Sequence, residues 1–194
     1  MPNWCNNTLT LEGDKQEIQQ VKHLLFKDPV NCKGFSFKCA VPQPDNLSHD
    51  AVPFSEMDKL REKGVPHWYD WNTRNWGTKW DACNEFDTQV ENNKIVIYFD
   101  SAWAPPTQWF YSFLEQIDPS NEIRIELKYF EIGMDYAGSY FRDSNGEMGE
   151  TEGRIYQSNE EGDELSYDSK MDKYRDSKGR FVSDDSVTYQ VNYE

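Results

Sequence analysis

The sequence predicts an α+β fold, an antiparallel sheet with two helices on one face. Three observations predict it. Apolar residues alternate with period two at 4–12, 94–101 and 123–129. Two stretches between them carry apolar residues at helical spacing. The elements then fall in the order strand, helix, strand, strand, helix, strand. At 194 residues the chain fits one domain with a smaller appendage.

In order, 4–12 is a strand in which Asn7, Leu9 and Leu11 share one face and Asn6, Thr8 and Thr10 the other. Gly13 closes it. Asp14 then stands as an N-cap with Glu17 three residues on, a capping-box spacing, and Ile18, Val21, Leu24 and Leu25 follow on one helical stripe. A helix over 14–26 results, ended by Asp28-Pro29. Residues 34–41 alternate Phe35, Phe37 and Cys39 and read as the second strand, stopped by Pro42 and Pro44. Ser55 can cap a short helix through Lys63, with Gly64 as its stop.

A turn at Asn92-Asn93 leads into the strand 94–101, with Ile95, Ile97 and Phe99 inward. Pro105 and Pro106 suit a first helical turn, where missing N–H groups cost least. Phe110, Phe113, Leu114 and Ile117 give the second stripe, closed at Asp118-Pro119. Ile123, Ile125, Leu127 and Tyr129 form the fourth strand.

A β-α-β-β-α-β order is the ferredoxin-like arrangement. Its two middle strands are normally joined by a hairpin. Here residues 42–92 intervene, far beyond ordinary connection lengths and too aromatic for disorder. The expected domain therefore spans 1–135 and includes a long helical and Trp-rich insertion at 42–92. Beyond it, 136–194 read as an acidic β-rich C-terminal extension. Ser144-Asn145-Gly146 marks a hairpin, and Val187, Tyr189, Val191 and Tyr193 alternate in a last strand. Phe141-Arg142-Asp143-Ser144-Asn145-Gly146 is echoed by Tyr174-Arg175-Asp176-Ser177-Lys178-Gly179, the same turn chemistry used twice. Residues 157–186 hold few large apolar side chains and read as a loosely attached or partly mobile stretch.

The formal net charge is −15, and from Glu131 onward sixteen acidic face seven basic side chains. That excess argues against general nucleic-acid or membrane binding, which needs a basic face. No apolar run is long enough for a bilayer span, and the N-terminus lacks a signal peptide. Cys5, Cys32, Cys39 and Cys83 show no Cys-x-x-Cys spacing and His23, His49 and His67 are scattered, so neither a metal nor another cofactor is expected. Reduced thiols fit a cytoplasm.

Candidate binding residues lie in the aromatic insertion. Between His67 and Phe86 the chain holds Trp68, Trp71, Trp76 and Trp80 among Asp, Asn, Arg and Lys. Indoles can stack on a base or ring, Lys79 can pair with an anion, and Gly77 lets a ligand approach the backbone. Trp71, Trp76, Gly77, Thr78, Lys79, Trp80 and Asp81 are the candidates, with Trp103 at the strand-to-helix corner as their expected neighbour. The competing reading is a tight turn whose tryptophans plug the gap between the insertion and the sheet. A Gly-Thr-Lys alone is not a phosphate loop, since Gly-x-x-x-x-Gly-Lys is absent. A Cys–His pair has no supporting spacing, and His-Glu-x-x-His and Gly-x-Ser-x-Gly are absent, so no catalytic residue is assigned.

Met-Pro-Asn-Trp-Cys-Asn-Asn-Thr-Leu at 1–9, Asn-Trp-Gly-Thr-Lys-Trp-Asp at 75–81, Ser-Ala-Trp-Ala-Pro-Pro at 101–106 and Tyr-Phe-Glu-x-Gly at 129–133 resemble the YubB-like proteins. These are phage and plasmid proteins of uncharacterised function with a ferredoxin-like domain. The resemblance covers residues 1–150 and leaves the acidic tail outside. It implies a mobile-element origin and an intracellular site of action, and it brings no activity.

The expected function is a non-enzymatic binding protein of a phage or plasmid. Its aromatic surface would hold a host protein or a small nucleotide-like ligand, with counter-defence as one such role. An acidic decoy that imitates nucleic acid and blocks a host DNA-binding protein is the alternative, and an unrecognised enzyme the second.

Overall fold

A computed structural model describes residues 3–49, 52–117, 119–120, 122–159, 162, 164–168, 171, 173–183 and 186–193, with the side chains of 54, 84–86, 167 and 168 left aside. It is an α+β fold. Seven strands form one antiparallel sheet: β1 (Trp4–Glu12), β4 (Cys83–Val90), β5 (Lys94–Ala102), β6 (Arg124–Glu131), β7 (Tyr136–Arg142), β8 (Met148–Ser158) and β11 (Thr188–Tyr193). Their order across the sheet is β11-β8-β7-β6-β1-β5-β4. Two small hairpins stand apart, β2 (Phe26–Asp28) with β3 (Lys33–Phe35) and β9 (Ser166–Asp168) with β10 (Lys173–Arg175). Helices α1 (Lys15–Val21), α2 (Phe54–Glu62), α3 (Trp68–Asn75) and α4 (Thr107–Leu114) complete the described elements.

The strong periodic segments form as their patterns dictate. Leu9 and Leu11 of β1 lie opposite Ile97 and Ile95 of β5 and Leu127 and Ile125 of β6, and all six are buried. Ile18 and Val21 of α1 and Trp109, Phe110, Phe113 and Leu114 of α4 close over them. Asp14 caps α1 through a full capping box, accepting from the Gln16 N–H at 2.7 Å while Glu17 accepts from the Asp14 N–H at 3.1 Å. The helix is shorter than its stripe predicts: a 3-10 turn, Lys22–Leu24, follows Val21, and Phe26 already begins β2. The stop expected at Asp118 lies outside the described residues.

Two expectations need correction. Residues 34–41 do not enter the main sheet. Phe35 ends the β2–β3 hairpin, Ser36 caps a 3-10 turn, Phe37–Cys39, and Phe35 and Phe37 are buried through that turn instead of by strand alternation. The neighbour of β5 is β4, joined to it by a tight turn in which the Glu91 N–H donates to the Lys94 carbonyl at 2.8 Å. The long Trp-rich segment therefore belongs to the crossover from α1 to β4. It does not separate the middle strands, because β4 lies inside 42–92. The sheet also continues past β6 through β7, β8 and β11, so the whole is not a plain four-stranded ferredoxin-like fold.

The two echoed turns are built alike. Asp143 accepts from the N–H groups of Asn145 and Glu147, each at 2.9 Å, and Asp176 accepts from those of Lys178 and Arg180, each at 2.9 Å. Gly146 and Gly179 follow with φ of 83° and 77°. Several residues of the stretch 157–186 read as loosely attached, Glu160, Asp163 and Asp184 among them, lie outside the described set. Among the described residues no helix is long and apolar enough to cross a membrane.

Candidate functional site

The aromatic segment is a helix and a loop pinned from three sides. His67 caps α3, its Nδ1 accepting from the Tyr69 N–H at 3.2 Å. At the far end Trp76 turns inward and is 1% exposed. Its indole N–H donates to the Val41 carbonyl at 2.9 Å, and its ring meets Phe37 and Trp71 edge-on at 5.8 and 5.4 Å. A large aromatic with its one polar group satisfied by backbone is a core residue.

Gly77 follows with φ 83°, where a Cβ would collide with the Gln108 side chain and press on the Thr107 N–H of α4. The buried Thr78 hydroxyl donates to the Ala102 carbonyl at 2.8 Å. Buried Asn72 reaches from α3 and donates to the Lys79 carbonyl at 2.7 Å, while accepting from Gln43 at 2.5 Å. Asp81 closes the loop onto the hairpin beneath it, accepting from the Ser36 hydroxyl at 2.7 Å, the Phe37 N–H at 2.7 Å and the Ala82 N–H at 2.9 Å.

Lys79 and Trp80, in the middle of this loop, are half-buried and meet Trp103. The Lys79 ammonium lies 4.6 Å from the centre of the Trp80 ring and 5.0 Å from that of Trp103. Trp103 is 39% exposed, with its backbone in the left-handed region at φ 71°. Its N–H donates to the Asn3 carbonyl at 3.0 Å, and its carbonyl accepts from the Tyr136 hydroxyl at 2.5 Å. Trp4 lies 6.0 Å from Trp80, and Tyr69 meets Trp103 edge-on at 6.4 Å.

Of the eight predicted residues, Lys79, Trp80 and Trp103 come together, the first two half-buried and Trp103 exposed. Gly77, Thr78 and Asp81 shape the loop that carries them. Trp76 is core and Trp71 is half-buried against it. The sequence reading missed Trp4, Tyr69 and Tyr136. Trp4 is signalled as the outward-facing end of an alternating strand, whereas nothing local marks Tyr69 or Tyr136. The described part of the first of the four short segments, residues 3–9, meets those at 75–81, 101–106 and 129–133 here. Gly133 of the last abuts the Asn3 side chain, and buried Glu131 accepts from the N–H groups of Gly133 and Met134 at 2.9 and 2.5 Å.

Beneath the surface, Cys5 is fully buried on β1, and burial pushes its thiol from 9.0 up to about 12. Tyr136 is raised as well, first by burial and then by the neighbouring Cys5. A thiol that keeps its proton is a poor nucleophile. His67 lines a different feature, a 310 Å³ cleft between α2 and α3 walled by Arg61, Asp70, Trp71 and Arg74. Among the described residues no group of three or more His, Cys, Asp or Glu could hold a metal ion.

No family model matches the chain. No curated protein matches it either. The crystal structure of a protein api92 from Yersinia pseudotuberculosis, family-model DUF1281, is similar at 12% identity and a TM-score of 0.47, over 78% of this chain and 98% of that one.

Proposed function

We propose that the chain is a non-enzymatic binding protein whose surface of Lys79, Trp80 and Trp103, flanked by Trp4 and Tyr69, holds a nucleotide-like ligand or a host protein presenting an anionic group beside a flat one. The observation that carries the reading is the Lys79 ammonium held between two indole faces. A free lysine loses about 2 kcal/mol of rotamer entropy when a ligand fixes it. Here that ordering is largely complete beforehand, so an incoming anion meets a pre-aimed charge. Trp103 and Trp80 keep ring surface available beside it for stacking. The frame is rigid, since Asn72, Thr78 and Asp81 tie the loop to α3, β5 and the 36–37 turn.

Within the same reading, the chain is a YubB-like protein of a phage or plasmid acting in the bacterial cytoplasm. Its ferredoxin-like unit is β6-β1-β5-β4 with the crossovers carrying α1 and α4, and β4 stands where 34–41 was expected.

The test is capture and titration with the intact protein. Immobilised wild type is passed through bacterial lysate, and bound metabolites and proteins are identified by mass spectrometry. The identified species is then titrated calorimetrically against K79M and W103A. Loss of at least about tenfold in affinity from variants that still unfold cooperatively in urea supports the surface, because hot-spot aromatics contribute that much or more. Equal affinity in both variants sinks it. A captured DNA-binding protein still held by K79M and W103A would move the reading to the acidic decoy.

A further inference from the structure

The sheet has two free edges, and they are built differently. On β4 the register shifts between Cys83 and Asp87, a bulge that bends the strand, and exposed Asp87 stands on it with exposed Glu91 just past its end. Bulges and charges are how proteins keep an edge strand from pairing. β11, at the opposite edge, has neither. It runs Thr-Tyr-Gln-Val-Asn-Tyr in unbroken register against β8 from Thr188↔Ser158 to Tyr193↔Gly153. Among the described residues no backbone group from elsewhere bonds to its outer side. Every other strand carries at least one charged residue, and in a chain of net charge −15 this strand carries none. Its sequence has no proline or glycine, and β-branched and aromatic residues fill half or more of it.

The strand is also anchored and self-complementary. The Tyr193 ring lies against Gly153, with the Lys128 ammonium 4.9 Å from its centre, so β11 is held to the sheet body by more than its ladder. Tyr189, Val191 and Tyr193 share one face, and Gln190 and Asn192 the other. A two-fold axis normal to the sheet through Val191 sets β11 antiparallel to its own copy. Val191 then faces the partner's Val191, Tyr189 the partner's Tyr193, and Gln190 the partner's Asn192. These pairings set aromatic with aromatic, Val with Val and amide with amide, and none of them sets like charges together, while Thr188 lies outside them at the strand's start. A second copy thus matches this edge over residues 189–193.

We infer that this edge is a homodimer interface: two copies of the chain join β11 to β11 antiparallel and extend their sheets into one.

Sedimentation velocity on the intact protein over a wide concentration range tests this. The expected result is a concentration-dependent species of twice 22.9 kDa. V191K, which sets two ammonium groups against each other on the axis, should weaken association by about tenfold or more with an unchanged urea midpoint. V191C gives a second readout that does not depend on a disruptive change. Under mild oxidation it should form a disulfide dimer, while Q190C and the wild type, treated alike, should not. A wild type that stays at 22.9 kDa at the highest concentration overturns the inference, as does a dimer that V191K leaves intact or that V191C fails to cross-link.

Discussion

Trp76 and Trp80 lie four residues apart in one loop and end in different environments, the first buried and the second half-buried. Trp76 reaches down to a backbone carbonyl that the 37–39 turn leaves accessible at Val41, and five aromatic rings or more pack around the same core. Trp80 finds no such acceptor among the described residues. It lies flat beneath a lysine and beside Trp4. What separates the two is where a buried acceptor exists for the indole N–H, since an unpaired one is costly inside and costs nothing in water. Richness in tryptophan therefore marks neither core nor surface. The partner of the polar atom decides.

That contrast can be broken by substitution. W76A removes a fully buried ring and orphans the Val41 carbonyl, so it should destabilise by about 3–5 kcal/mol in urea denaturation. W80A should cost about 1 kcal/mol or less, and equal losses for the pair would erase the distinction. D81A leaves the Phe37 N–H and the Ser36 hydroxyl without their acceptor at a buried turn, a cost of about 1–3 kcal/mol by the same measurement. G77A forces a Cβ into the left-handed region against α4 and should cost about 1–2 kcal/mol. If G77A is silent, the loop is held less tightly than its bonds imply.

A fourth expectation is nil at neutral pH and grows with alkali. The folded Cys5 thiol keeps its proton up to about 12, while the unfolded one releases it near 9.0. Between those values the folded state binds more protons, so stability falls as pH rises. C5A should flatten the alkaline limb of the urea midpoint between pH 9 and 12. An unchanged slope would mean that other groups, Tyr136 among them, carry it. The smallest expected effect is that of K79M on stability, within about 0.5–1 kcal/mol, the worth of an exposed cation–π contact.

Much of the fold was legible because its central strands are buried on one side and solvated on the other. Leu9, Leu11, Ile95, Ile97, Ile125 and Leu127 announce themselves by parity. Residues 34–41 carried the same signal falsely: Phe35 and Phe37 are two apart and both buried, but a hairpin end followed by a 3-10 turn buries i and i+2 as well as a strand does. β4 hid for the opposite reason. An edge strand with a bulge breaks its own parity between Cys83 and Asp87, so no alternation set it apart from the 42–92 insertion. In the site, the meeting of Lys79 with Trp103 was foreseeable from composition. Tyr69 and Tyr136 were not, because they arrive through α3 and β7 with no local mark, and Trp4, though marked as the outward end of its strand, joins them only in the assembled fold.

Trp103 carries a consequence of its own. A bulky side chain on left-handed backbone costs roughly 1–2 kcal/mol that a glycine would not. The corner is thus locally frustrated: its best residue for folding and the residue it has are different. W103G should then be more stable than W103A by about 1 kcal/mol, although it removes more of the side chain. A fold that carries a standing penalty at one exposed position, when the cheapest mutation would remove it, has its stability and its surface chemistry pulling against each other at that corner.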